Sequence, residues 1–350
     1  MNHLYLFNLL TAVTLATILL LKLPHAAIKT GLVDHPDERK HHKGQIPLIG
    51  GIAMFVGFSF TALTLDIPLT PYRGLFAGAM LLIIVGVLDD LHELSSTIRF
   101  LGQILAAVAM AEWGGVRLID LGLISPGGEM VNLNWWSSLL TIFATVGVIN
   151  SLNMIDGIDG LAGYLTLVTV SALSLLAYLA GDYHDLKILL ILFSVIATFL
   201  FFNRKPAEGK KWQRVFMGDA GSMFLGFTLC WFFIHLSQGE SRTINPVTSL
   251  WVFAIPLIDT VSQMLRRVLK GESPFKADRQ HIHHLLLSRG YSAKMVVLLL
   301  IACAAFMASL GIAAQYYEWS QAMMFYSFIG CFAAYFLLTY RSPMTHPRRE

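Results

Sequence analysis

Asn150, Asn153, Asp156 and Asp159 recur every third residue through Asn150-Ser151-Leu152-Asn153-Met154-Ile155-Asp156-Gly157-Ile158-Asp159-Gly160, and each aspartate precedes a glycine. Two amides and two carboxylates in such a row can hold a cation or orient a phosphate. On a helix a three-residue step leaves neighbours about 60° apart, so the row shares one face. Gly157 and Gly160 let the backbone bend or come close to a ligand. The same letters also suit a plain interhelical turn, because turns use Asp and Gly freely. Asn150 and Asn153 lie upstream, where such a turn needs no polar groups. The row stands where one membrane-length apolar run ends and the next begins, and polar groups there are costly unless used.

Four other groups have the same double character. Asp89-Asp90 reads as a solvated helix end or as a cation site. Two unit charges 4 Å apart repel by roughly 4 kcal/mol at an effective dielectric of 20, which a cation relieves, and Mg²⁺ prefers hard oxygen ligands. Phe216-Met217-Gly218-Asp219-Ala220-Gly221-Ser222 reads as a capped helix start, or as a phosphate site whose Asp219 holds a metal. His281-Ile282-His283-His284, just after Asp278 and Arg279, offers a zinc set, a solvated loop, or three donors for a diphosphate. Consecutive ligands crowd a zinc ion, so the last fits best beside the acids. Asp259 lies within an apolar run three residues after Pro256, and an acid there marks a functional site or a buried pair. Arg266 and Arg267 precede the histidine loop and are further candidates.

These groups must be positioned by membrane helices. The 350 residues are 55% hydrophobic and 13% charged, against about 25% charged in soluble domains. Eleven runs approach the about 20 apolar residues a crossing needs: 4–24, 46–66, 73–90, 99–113, 137–154, 160–180, 187–203, 215–236, 247–268, 294–315 and 321–340. The expectation is an all-α polytopic membrane protein of about eleven transmembrane helices, forming one domain over 1–350. The first run is expected to be a retained helix, because it lacks a basic leader and a clear cleavage site. With the N-terminus outside and the C-terminus inside, every Lys and Arg except Arg73, Arg117, Lys187 and Arg242 falls inside, as the positive-inside rule favours. That rule accounts for Arg204, Lys205, Lys210, Lys211 and Arg214, some of which also suit lipid head groups. The motif acids and histidines then reach one cytoplasmic surface.

Several classes are disfavoured. Net charge is +3, and no compact basic module points to nucleic acid. Cys230, Cys303 and Cys331 all lie inside apolar runs, against a disulfide framework or a cysteine metal site. The longest polar stretch, Arg266–Lys294, is shorter than the about 50 residues below which domains rarely fall, so any catalytic site is built from helix ends and short loops. A secondary transporter would place its acids near the midplane of broken, repeated helices; here they sit at helix ends and no repeat is visible.

Leu88-Asp89-Asp90, Asn153–Gly160, Phe216–Ser222 and His281–His284, in that order, resemble the polyprenyl-phosphate N-acetylhexosamine-1-phosphate transferases. The likeness covers about residues 30–315 and includes Pro47-Leu48-Ile49-Gly50-Gly51. Each motif alone is weak, and the ordered set is specific. Ser273–His284 looks most like the bacterial WecA-type branch. Family members often carry Lys where Thr97 stands, which leaves Arg99 as the main local cation.

The resemblance implies transfer of GlcNAc-1-phosphate from UDP-GlcNAc to undecaprenyl phosphate, giving undecaprenyl-diphosphate-GlcNAc and UMP. It implies Mg²⁺ or Mn²⁺, a place in the bacterial inner membrane, and priming of O-antigen or enterobacterial common antigen chains. A homodimer is a further expectation. The roles it implies are metal binding at Asp219 with Asp90, and nucleotide and metal-phosphate positioning at Asn150, Asn153, Asp156 and Asp159. Further phosphate donors would come from Arg99, Arg266, Arg267, His281, His283 and His284, with Asp259 nearby. A base role for Asp89 is disfavoured, because a phosphomonoester with a second pKa of about 6 is already largely dianionic at pH 7; metal organisation or positioning fits better. The rival donors are another UDP-N-acetylhexosamine and UDP-MurNAc-pentapeptide.

Overall fold

A segment in hydrocarbon must satisfy every backbone N–H and C=O within itself, and helices do so. The computed structural model describes residues 3–34, 45–204, 213–240, 242–273 and 280–340. Its helices are α1 (His3–Thr30), α2 (Gly50–Leu63), α3 (Arg73–His92), α4 (Ser96–Val108), α5 (Ser137–Ile155), α6 (Leu161–Ala180) and α7 (Tyr183–Asn203). The second half carries α8 (Gly218–Ser237), α9 (Pro246–Val252), α10 (Ala254–Leu269), α11 (Ile282–Ser288), α12 (Ala293–Tyr316) and α13 (Gln321–Tyr340). The strands β1 (Val33–Asp34) and β2 (Ile46–Pro47) pair antiparallel.

Among the described residues, eight helices are long and apolar enough to cross a membrane, or nine if α9 and α10 cross as one bent span. Two of the eleven expected runs fall short. Residues 46–66 spend their start on β2 and yield a helix of 14 residues. Residues 99–113 belong to α4, which starts at Ser96 under a Ser95 cap, runs 13 residues and passes into a π turn at Ala109–Trp113. The run 247–268 is broken, with its two halves meeting at 87°. Pro256 explains the break: its ring would clash with the Val252 carbonyl four residues back, and it donates no N–H.

α8 is the mast of the bundle. Of its apolar window, 94% is buried, against 22% for α1 and 11% for α13. It packs on α2, α3 and α5, and Phe224, Phe227, Trp231 and Phe232 are fully enclosed along it. The far end from Asp89 and Asp219 is tied by polar links. Tyr72, at the start of α3, donates to Asp185 Oδ1 at 2.7 Å, and His235, near the end of α8, lies 3.2 Å from Asp185 Oδ2. There Arg242 holds buried Asp120 through two contacts of 3.0 and 3.1 Å. Two ends of α3 and α8 are thereby fixed, and the opposite ends carry the acids.

Candidate active site

Gly218-Asp219 opens α8, and the helix has no side-chain cap of its own. Asp90, at the end of α3, supplies it: Oδ1 accepts the Asp219 N–H at 2.9 Å and Oδ2 accepts the Ala220 N–H at 3.3 Å. A carboxylate at a helix N-terminus satisfies orphan donors and meets the positive end of the dipole. The cap expected from within the Gly-Asp-Ala-Gly-Ser motif therefore comes from a different helix. Gly218 permits it, because its φ is +73° and a Cβ there would lie 2.5 Å from Asp90 Oδ2.

With the cap supplied from elsewhere, the Asp219 carboxylate is available. Its Oδ1 accepts from Asn153 Nδ2 at 2.6 Å, and the same amide reaches Ser222 Oγ at 2.9 Å. The Asp89 and Asp219 carboxyls both face Arg99, and two ionised carboxylates brought together repel unless a cation lies by them. Arg99, from the first turn of α4, puts Nη1 3.2 Å from Asp89 Oδ2 and 4.0 Å from Asp219 Oδ2. Asp89 is buried.

The row that began at Asn150 divides. α5 ends at Ile155, so only Asn150 and Asn153 share a helical face, contrary to the expectation for all four. Asn150 gives its amide to Gln103 Oε1 at 2.6 Å and to the Val146 carbonyl at 2.7 Å. It ties α5 to α4, the helix that carries Arg99. Asp156 sits just past the helix end; desolvation, then the charges of Asp219 and Asp159, push its carboxyl up to about 7. Asp159 reaches outward and pairs with Arg214, whose Nε donates to the Asn203 carbonyl at 2.7 Å.

The histidine loop closes against this wall. A Cβ on Gly157 would lie 2.4 Å from His283 Nε2, so the imidazole presses directly on the Asp156–Asp159 loop. His283 is 1% exposed, and neither ring nitrogen has a partner among the described residues. Desolvation, then the neighbouring His284 and His281, lower it to about 3, so it is a neutral imidazole at pH 7. His281 Nδ1 lies 2.8 Å from Asp259 Oδ2. Asp259 Oδ1 accepts the Ile282 N–H at 2.9 Å and the Tyr335 hydroxyl at 2.7 Å. Asp259 is thus committed to holding the loop, the buried pair of the two readings. Arg266 is buried and hydrogen-bonds Thr339 of α13; Arg267 is buried beside it on α10. Asp278, Arg279, Lys205, Lys210 and Lys211 lie outside the described residues.

Sequence reasoning missed Gln103 and Tyr335, and read Arg214 as topological. Gln103 left a trace, a polar side chain one turn after Arg99 in an apolar run. Arg214 stands two residues before Phe216 and lies over that ring at 4.9 Å. The Pro47–Gly51 segment also finds its reason. Phe216 N–H donates to the Pro47 carbonyl, and Gly50 and Gly51 donate to the Phe216 and Met217 carbonyls. It forms the rail along which the chain enters α8.

No three Asp, Glu, His or Cys side chains among the described residues form a metal cage. Mg²⁺ uses one or two carboxylates and completes its octahedron with water and substrate phosphates. Asp219 and Asp89, on either side of Arg99, are carboxylates that fit such a half-site.

Residues 72–237 match the Glycosyl transferase family 4. The chain is similar to the undecaprenyl-phosphate alpha-N-acetylglucosaminyl 1-phosphate transferase of Yersinia pestis, 39% identical over 82% of this chain and 78% of that one. It is similar to the protein of that name from Escherichia coli (strain K12), 38% identical over 91% and 87%. A Haemophilus influenzae protein of that name is 39% identical over 91% and 88%. With its ordered motifs converging on one cluster of acids and with likeness over most of its length, the chain belongs to the Glycosyl transferase family 4, the family of these sugar-1-phosphate transferases.

Proposed function

We propose that the protein transfers GlcNAc-1-phosphate from UDP-GlcNAc to undecaprenyl phosphate, releasing UMP. An oxygen of the lipid phosphate attacks the sugar-bearing phosphorus, and the bond from that phosphorus to the UMP oxygen breaks. The observation that carries this reading is the meeting of Asp90, Asn153 and Arg99 at Asp219, with Asp89 held by the same Arg99. Phosphoryl transfer depends mainly on positioning and charge neutralisation, and these residues provide both. Asp219, with Asp89 and Asp90 beside it, would hold Mg²⁺ or Mn²⁺, which would supply Lewis-acid neutralisation of the diphosphate.

The chain's own groups do the rest. Asp90 holds the α8 N-terminus, and Asn153 aims the Asp219 carboxylate. Arg99 gives the acceptor phosphate a cation next to the acids, so the second anion is not repelled. Asp89 positions Arg99 and the metal edge; it need not remove a proton, because the acceptor is already dianionic. Asp156 and Asp159 line the nucleotide side, with His283 packed on their loop, His281 and His284 beside it as donors, and Arg266 and Arg267 beneath.

The finer placement is part of this proposal: eleven crossings with α2 and α4 included, N-terminus outside, C-terminus and site on the cytoplasmic face of the inner membrane. So are a homodimer and a product that primes O-antigen or enterobacterial common antigen chains. The test incubates pure protein with undecaprenyl phosphate, Mg²⁺ and a panel of UDP-sugars. UMP should appear with UDP-GlcNAc and vanish with chelator; release from no donor overturns the reading. Asp219→Asn should abolish the Mg²⁺ response, and an unchanged rate and metal dependence sinks the metal assignment.

A further inference from the structure

We infer that Tyr335, on the last helix, is a positioning residue for the histidine loop, acting through Asp259. The inference rests on the transferase reading for its kinetic arm and on geometry alone for its other arm.

Asp259 stands in the middle of a three-member chain: Tyr335 hydroxyl, Asp259 carboxylate, His281 imidazole, with contacts of 2.7 and 2.8 Å. The aspartate is 2% exposed and His281 is 5% exposed. A buried carboxylate needs several donors to remain in place. It has three here: Tyr335, the Ile282 N–H and the His281 ring. Two of the three belong to the loop that Asp259 holds. Tyr335 is the one that comes from a separate helix.

That arrangement fixes the imidazole. Asp259 accepts, so His281 Nδ1 carries the hydrogen, and which ring nitrogen is protonated is set by the hydrogen bond the other makes. Nε2 is left for a ligand. The ring lies nearly parallel to His283, at 8° and 5.9 Å between centroids, and His283 presses on Gly157. The orientation of Asp259 therefore passes from α13 through two imidazoles to the loop that carries Asp156 and Asp159.

The position of Tyr335 makes this notable. It lies outside residues 72–237, the stretch matched by the family. α13 carries none of the motif residues, and most of its surface faces outward. Its hydroxyl nonetheless lands on the one buried acid of α10. One turn further on, Thr339 meets Arg266. Two polar side chains one turn apart on α13 thus point at two polar side chains of α10.

The test is Tyr335→Phe in the full-length protein, which keeps the ring and removes one hydroxyl. Turnover should fall about three- to tenfold, with KM for UDP-GlcNAc changed less than twofold. In a His281→Gln background the same substitution should cost nothing more. The control Tyr326→Phe, on the same helix with an exposed ring, should leave turnover unchanged. A substrate-free readout accompanies this: exchange of the His281 ring C2 hydrogen, read by mass spectrometry. Its rate should change at least twofold in Tyr335→Phe and stay constant in Tyr326→Phe. Full turnover in Tyr335→Phe, or an equal loss in the His281→Gln background, overturns the inference. An unchanged His281 exchange rate overturns it too, even if the parent protein proves inactive on UDP-GlcNAc, an outcome that by itself counts only against the transferase reading.

Discussion

Gly86→Ala should disable the site from a position that touches no substrate. Gly86 lies one helical turn before Asp90 on α3, and a Cβ there would sit 2.2 Å from Ala220 Cα and 2.5 Å from Ala220 N. Both are backbone atoms at the start of α8. Carbon atoms pack at about 3.5–4.0 Å, so α3 and α8 must separate by more than about 1 Å. The Asp219 and Ala220 N–H bonds to Asp90 start at 2.9 and 3.3 Å, and such a shift carries both past hydrogen-bond range. Each bond to a charged acceptor contributes about 1.5–3 kcal/mol. Partial relaxation should leave a stability loss of about 2–4 kcal/mol. A 1 Å misplacement of catalytic groups costs about 10²-fold, so turnover should fall by about two orders of magnitude. The assay is UMP release at saturating donor and Mg²⁺, beside thermal unfolding in the same detergent. Gly147→Ala is the control, because nothing lies within 4 Å of its Cβ; alanine inside a helix should also stabilise slightly. A Gly86→Ala protein that keeps more than a third of parental turnover would refute the reasoning.

Other outcomes follow from single contacts. Asn153→Asp replaces the donor to Asp219 with a like charge, and the Mg²⁺ concentration at half-maximal rate should shift at least tenfold; an unmoved titration removes Asn153 from the metal edge. His283 is held near 3 when folded against about 6.5 unfolded. The unfolded chain therefore binds more protons between those values, and stability falls as pH drops from 6.5 toward 3, by up to about 1.4 kcal/mol per unit. His283→Gln should flatten the stability curve between pH 6 and 4; equal slopes would count against a buried neutral imidazole. Arg242→Gln leaves buried Asp120 without its two charged contacts. It should lower the unfolding midpoint by several degrees, about 1–3 kcal/mol, with turnover within twofold, and an unchanged midpoint would contradict the anchoring role.

The membrane character and the acids were legible because hydrophobic length and motif order are local properties of the chain. Asp89, Asp219 and Asn153 announced themselves by type and spacing. What each does was less legible, because it is decided by partners far away. Asp90 reads as a ligand beside Asp89, and only packing reveals it as the cap of α8. Asp259 reads as a binding residue, and its three donors make it a brace. Tyr335 gives no signal, since a tyrosine in an apolar run is ordinary. The spans also look alike in sequence. Both α8 and α13 read as apolar runs, and that α8 is enclosed and α13 peripheral depends on their neighbours. The break before Pro256 could have been read from the ring's clash with Val252.

The enclosure of α8 bears on how the protein is made. Chain order places this helix after α1 to α7, yet α2, α3 and α5 pack around it. Until it leaves the ribosome, the earlier helices have an open seam where their core belongs. Its apolar window is the least apolar of the eight, so lipid holds it least well and the waiting seam holds it best. During that interval Asp90 has no helix to cap, and Arg99 lacks its contact with Asp219. Insertion of one helix then closes the bundle and assembles the acidic site in a single event. A nascent chain halted before residue 218 should be recognised as unfinished by membrane quality control, and one halted after 237 should already resist proteolysis within α2, α3 and α5.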